Sequence, residues 1–136
     1  MHHEHECDKK RVLIIEDNSF FSHVLFQILS RDGFDVHFAE RRADALQTLL
    51  NYSFDVILCD YNLPDVQGSS LLKLLHKLIP RVPVVVLSGE QPPNLNELID
   101  NGIVNKFLLK PCTREELLMT LESLLSDHTV TAEKED

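Results

Sequence analysis

The chain has 136 residues, 43% of them hydrophobic, with 22 acidic against 13 basic side chains for a formal charge of −9. That length fits one domain able to bury roughly two thirds of the surface its unfolded form exposes. The acidic balance disfavours nucleic-acid binding, since the Lys and Arg form no basic stripe, and no apolar run approaches the roughly 18 residues needed to span a bilayer. A soluble, cytoplasmic protein without membrane contact is the expectation. The cysteines, Cys7, Cys59 and Cys112, have neither paired nor metal-like spacing and are expected to be free thiols.

Residues 1–10 hold His2, His3 and His5 and lack the apolar stretch of a signal peptide, so they are expected to form a disordered tail or tag. From Arg11, strand-like runs alternate five times with helix-like segments, the pattern of an α/β fold whose parallel sheet is covered on both faces. The first run is Arg11 to Ile15, ending at Glu16-Asp17. Phe20, Phe21, Val24, Leu25, Ile28 and Leu29 then recur at helical spacing behind the cap candidates Asn18 and Ser19, and Gly33 ends the helix. A second strand is expected over Phe34 to Ala39, followed by a helix with the stripe Ala43, Leu46, Leu49 and Leu50. The third strand, Asp55 to Cys59, leads into Asp60 and a turn containing Asn62, Pro64 and Gly68.

Leu71, Leu72, Leu75 and Leu78 mark the third helix, and Pro80 and Pro83 punctuate the approach to a central fourth strand, Val84 to Leu87, which ends at Ser88. Leu95 to Asn101 is a short amphipathic stretch after Pro92-Pro93, expected to be the least stable helix. The fifth strand, Phe107 to Leu109, ends at Lys110-Pro111. Thr113 and Glu116 form a capping box ahead of Leu117, Leu118, Leu121, Leu124 and Leu125. The domain is therefore expected over 11–126, with 127–136 a polar, flexible tail or the start of a linker. No glycine-rich phosphate loop is present: Glu16-Asp17-Asn18 stands where a dinucleotide fold would need glycines.

In an open parallel sheet, ligands bind beyond the carboxyl ends of the strands, where strand order reverses. Glu16, Asp17 and Asp60 would bring three carboxylates there, a charge density that is costly unless a cation joins it. A hard divalent ion such as Mg²⁺, which takes one or two carboxylates together with phosphate oxygens, suits the set. Lys110 adds a fixed positive charge and Ser88 a hydroxyl, each able to meet a phosphoryl oxygen.

These motifs resemble the receiver domain of bacterial two-component response regulators over about residues 10 to 126, and are similar to single-domain chemotaxis-type regulators. Glu16-Asp17 resembles the family's acidic pair, Asp60 its phosphoacceptor, Ser88 its hydroxyl position and Lys110-Pro111 its lysine and following proline. Pro64 and Gly68 stand at family-like offsets. The resemblance implies a flavodoxin-like (βα)5 fold, doubly wound around a five-stranded parallel sheet of order 2-1-3-4-5. It implies that Asp17, Asp60 and the Asn62 backbone carbonyl ligate Mg²⁺, with Glu16 acting through water. It further implies that Asp60 takes a phosphoryl group from a phosphohistidine, catalysing its own phosphorylation and dephosphorylation rather than acting as a conventional enzyme. Asn62 and Glu90 would influence the hydrolytic water, and Phe107 would be a switch residue coupled to Ser88. The implied partners are a histidine kinase or phosphotransfer protein and a downstream output domain or protein.

Taken singly, each residue has an ordinary reading: acids favour helix N-termini, Asp is common in turns, and Phe107 in a parallel strand is core. Their joint placement at successive strand ends favours chemistry. A phosphate-independent interaction module would keep the fold without needing the full set. A haloacid-dehalogenase-like phosphatase would need an acid two residues after Asp60, where Asn62 stands. Gly102 lies one residue further from Lys110 than is usual in the resembled family, so the loop into strand five is expected to be reshaped. Leu95 to Asp100 carries acids without a matching basic set, so dimerisation through that face is not expected.

Overall fold

A computed structural model describes residues 9–135, with side-chain surroundings through residue 125. The His-rich start, including Cys7, lies outside the described residues. Five strands alternate with five helices: β1 (Arg11–Ile15), α1 (Ser19–Arg31), β2 (Asp35–Ala39), α2 (Arg42–Asn51), β3 (Val56–Asp60), α3 (Ser70–Leu78), β4 (Val84–Ser88), α4 (Leu95–Asp100), β5 (Lys106–Leu109) and α5 (Arg114–Glu135). The strands form one parallel sheet in the order β2-β1-β3-β4-β5. The expected alternation and strand order are both present. β3, rather than β4, holds the middle position, with β4 beside it in the interior.

Every residue of β3 and β4 is buried, which is why these strands read as continuous apolar runs rather than alternating ones. Alternate side chains feed two cores. Leu13, Ile15, Ile57, Cys59, Val84 and Val86 meet α2, α3 and α4 through Ala45, Leu71, Leu72, Leu75, Leu95 and Leu98. On the opposite face Val12, Ile14, Val56, Leu58, Val85 and Leu87 meet Leu25 and Leu29 of α1 and Leu117 and Leu121 of α5. Cys59 and Cys112 are free thiols, the first buried and the second half-buried.

Helix ends follow local chemistry. The Asn18 side chain accepts a hydrogen bond from the Phe21 amide at 3.0 Å. At the other end of α1, Gly33 adopts φ +96°, a left-handed conformation that L side chains rarely adopt. The Thr113–Glu116 capping box is reciprocal, at 3.0 and 2.9 Å.

Three expectations need correction. The α1 stripe is narrower than its apolar residues suggest, because Phe20 and Val24 face outward and Ser22 turns inward, donating its hydroxyl to the Asn18 carbonyl at 3.1 Å. In α2 the buried residue is Ala45, while Leu46 and Leu49 are half-buried and Ala43 and Leu50 exposed, since an end-of-sheet helix covers less of the core. α5 also continues past Leu125 to Glu135, because helical hydrogen bonding does not require an apolar stripe once the helix is nucleated.

Candidate functional site

The fold brings three strand ends and one neighbouring strand end to a single rim. Backbone hydrogen bonds set the register: Tyr61 N donates to Leu87 O at 2.9 Å just after Asp60, and Lys110 N donates to Ser88 O at 2.7 Å. Glu16, Asp17 and Asp60 each place a carboxylate oxygen within 4.8 Å of the other two. Glu16 and Asp60 are buried and Asp17 is exposed.

Lys110 reaches into this cluster from the end of β5. Its Nζ lies 2.7 Å from Glu16 Oε1 and 3.4 Å from Asp60 Oδ1, so the ammonium sits nearer Glu16 than Asp60. Burial pushes the Glu16 carboxyl above its ordinary 4.5, while Lys110 and the Asn18 amide, which donates to Oε2 at 3.1 Å, pull it back. Glu16 Oε1 is fully buried and, Lys110 aside, meets no hydrogen-bond donor. An under-satisfied buried carboxylate beside two others is a donor set that could hold a hard cation, which would relieve the mutual repulsion.

Asp60 Oδ1 also accepts the Asn62 amide at 3.1 Å, an Asx-type contact that fixes the carboxylate relative to the turn. Across the rim, Ser88 Oγ accepts the Glu90 amide at 3.3 Å and faces Asn62 Nδ2 at 3.5 Å. A depression of about 240 Å³ opens beside Ser88 and is lined by Asn62, Glu90 and Pro92 among others. Asn62 and Glu90 are exposed, so both reach solvent beside Ser88.

Phe107 is half-buried and packs against the core shared by α2, α3 and α4, paired with Val86 on the neighbouring strand. It stands on the sheet face of α4, separated from the strand of Asp60 by β4. Pro64 is exposed in the β3–α3 turn and Gly68 there takes φ +57°, with only the Tyr61 hydroxyl, at 3.8 Å, near a Cβ position. Pro111 follows Lys110 through a cis peptide bond. Reasoning from sequence missed Phe21, whose ring centroid lies 4.9 Å from Lys110 Nζ; it read only as one more apolar residue of the α1 stripe.

Residues 12–122 match the response regulator receiver domain family. The chain belongs to that family. As a receiver domain of two-component signalling it is a signalling module rather than a classical enzyme. It is similar to a CheY-like response regulator receiver domain protein from Methanospirillum hungatei, with a TM-score of 0.82 and 28% identity over 94% of this chain and 99% of that one. It is also similar to chemotaxis protein CheY4 of Vibrio cholerae, with a TM-score of 0.79 and 26% identity over 86% of this chain and 99% of the other. Among curated relatives, the cell cycle transcriptional regulator CtrA of Caulobacter vibrioides is 27% identical over 115 residues, 85% of this chain. The receiver spans only 50% of CtrA's length. No helix among the described residues is long and apolar enough to cross a membrane.

Proposed function

We propose that this receiver is a phosphoacceptor in which Asp60 takes a phosphoryl group from a phosphohistidine donor and thereby switches a partner-binding surface. The observation that carries the reading is the meeting of Glu16, Asp17 and Asp60 oxygens within 4.8 Å, with the Lys110 ammonium 2.7 Å from Glu16 and 3.4 Å from Asp60. Asp17, Asp60 and the Asn62 carbonyl would hold Mg²⁺, with Glu16 contributing through water. Bound there, the ion supplies neutralisation of charge on the phosphoryl oxygens.

The chain's own groups divide the remaining work. The Asp60 carboxylate is the nucleophile: its free Oδ forms the bond to phosphorus as the phosphorus–nitrogen bond to the donor imidazole breaks. Lys110 compensates the charge on the phosphoryl oxygens, and the Ser88 hydroxyl donates to one of them. Asn62 and Glu90, both exposed beside the site, orient the water that later hydrolyses the aspartyl phosphate. As Ser88 moves toward the phosphoryl group, the Phe107 ring follows into the space it leaves, biasing the segment from 90 to 108 between two arrangements. A histidine kinase or histidine phosphotransfer protein is the donor, and an output domain or protein reads the altered surface in the cytoplasm.

The test is incorporation of label from a phosphorylated histidine donor or a small acyl phosphate. Wild-type protein should take up one phosphoryl group that alkali and hydroxylamine release, and Asp60→Asn none. Equal stoichiometry in the two proteins would place the acceptor elsewhere. Amide NMR with Mg²⁺ and beryllofluoride, an acyl-phosphate mimic, should move Asp60, Ser88 and Phe107 together; unchanged spectra would mark a phosphate-independent scaffold.

A further inference from the structure

We propose that Phe21 is a positioning residue for Lys110, its ring face holding the ammonium over the acidic cluster; the inference rests on the phosphoacceptor reading of that cluster. The Lys110 Nζ lies 4.9 Å from the Phe21 centroid, inside the distance at which a ring quadrupole attracts a cation. The ring itself is anchored. Phe21 packs against the core shared by α1 and α5, and its backbone amide is held by the Asn18 side chain at 3.0 Å.

These contacts close a loop around the charge. Glu16 Oε2 accepts the Asn18 amide, Asn18 Oδ1 accepts the Phe21 amide, the Phe21 ring meets Lys110, and Lys110 returns to Glu16 Oε1 at 2.7 Å. A lysine side chain has many rotamers and 23% of this one is exposed, so without a surface to lie on it would spend time in solvent. With the ring in place, the ammonium stays between Glu16 and Asp60, already where a phosphoryl oxygen arrives. The same placement sets Lys110 against a divalent cation, because both seek the same oxygens.

Opposite changes in two affinities follow from loosening the lysine. Phe21→Leu, which keeps an apolar side chain without the ring, should weaken beryllofluoride binding at saturating Mg²⁺ by about threefold to tenfold, the range of an exposed to partly buried cation–ring contact. Mg²⁺ binding without fluoride should tighten by about twofold to threefold, as a nearby positive charge relaxes its hold. Phe21→Tyr should restore both constants. Titration calorimetry on the full chain reads each constant without any turnover. A general loosening of the fold would instead weaken both ligands together, and that result, or two unchanged constants, would overturn the role of Phe21. Should Phe21→Leu not fold, 3,4,5-trifluorophenylalanine at position 21 keeps the ring's shape while depleting its electron-rich face, with the same pair of shifts expected. Failure of the wild-type protein to bind beryllofluoride would overturn the phosphoacceptor reading instead.

Discussion

Removing the charge of Glu16 should make the metal-free protein more stable at neutral pH. Its side chain has no exposed surface, and its nearest opposite charge is Lys110 Nζ at 2.7 Å. At an effective dielectric constant of 20, that attraction is worth about 6 kcal/mol, and the buried Asp60 carboxylate, with an oxygen within 4.8 Å, returns at least about 3.5 kcal/mol of repulsion, to which the exposed Asp17 adds a screened share. The remaining attraction, at most about 2.5 kcal/mol, falls short of the several kcal/mol that a buried carboxylate loses in hydration. The raised protonation equilibrium of Glu16, dominated by burial, has the same sign. Glu16→Gln keeps an oxygen to accept the Asn18 amide and leaves Lys110 with Asp60 at 3.4 Å, so no charge is orphaned.

The expected gain is about 1–2 kcal/mol, or about 3–8 °C in Tm for a domain of this size. Because the folded-state value is raised, the wild type binds the proton more tightly when folded and loses stability as pH climbs from 4.5 through the folded value. Below about pH 4 the side chain is protonated in both states, so variant and wild type should converge there. Saturating Mg²⁺ should narrow the gap from the other side, since ligand at 100 times its Kd adds about 2.7 kcal/mol to the protein that binds it better. Thermal unfolding followed by circular dichroism, in chelator and in Mg²⁺ and across pH 4 to 7, measures all three. A Glu16→Gln protein less stable than wild type at pH 7 in chelator, or a difference insensitive to pH, would refute the reasoning.

Two further outcomes are expected. Thr113→Ala removes the hydroxyl that caps the Glu116 amide at 3.0 Å and should cost about 1 kcal/mol in urea unfolding, with little added by Glu116→Gln in the same chain. In a Cys7→Ser background, alkylation at pH 8 should modify Cys112 slowly and leave Cys59 untouched until unfolding, because burial raises both thiols and Asp60 and Glu16 raise Cys59 further. Equal rates at the two positions would contradict the burial assigned to β3.

Much of this architecture was legible because its signals are local. Gly33 and the Thr113–Glu116 box mark helix ends through their own neighbours, and the unbroken apolar runs of β3 and β4 announce strands covered on both faces. Glu16, Asp17, Asp60, Ser88 and Lys110 were recognisable because each ends a strand, and a parallel sheet gathers those ends at one rim. What stayed hidden depends on rotation and reach. Phe20 and Val24 share the helical spacing of Leu25 and Leu29 yet face outward, since periodicity does not tell how wide a stripe the sheet covers. The preference of Lys110 for Glu16 and its seat on Phe21 join residues 94 and 89 positions apart, given by their chain numbers, and no local pattern encodes such a meeting.

Asp60 grows from the one strand flanked on both sides by interior neighbours and sealed along all five residues. Local opening starts where few apolar groups hold the chain, as in the six-residue α4, and reaches such a strand only with global unfolding. The acidic centre is thus moored to backbone that should be among the last to exchange, while the six-residue helix should open first. On the phosphoacceptor reading proposed above, chemistry and response would then run on separate clocks.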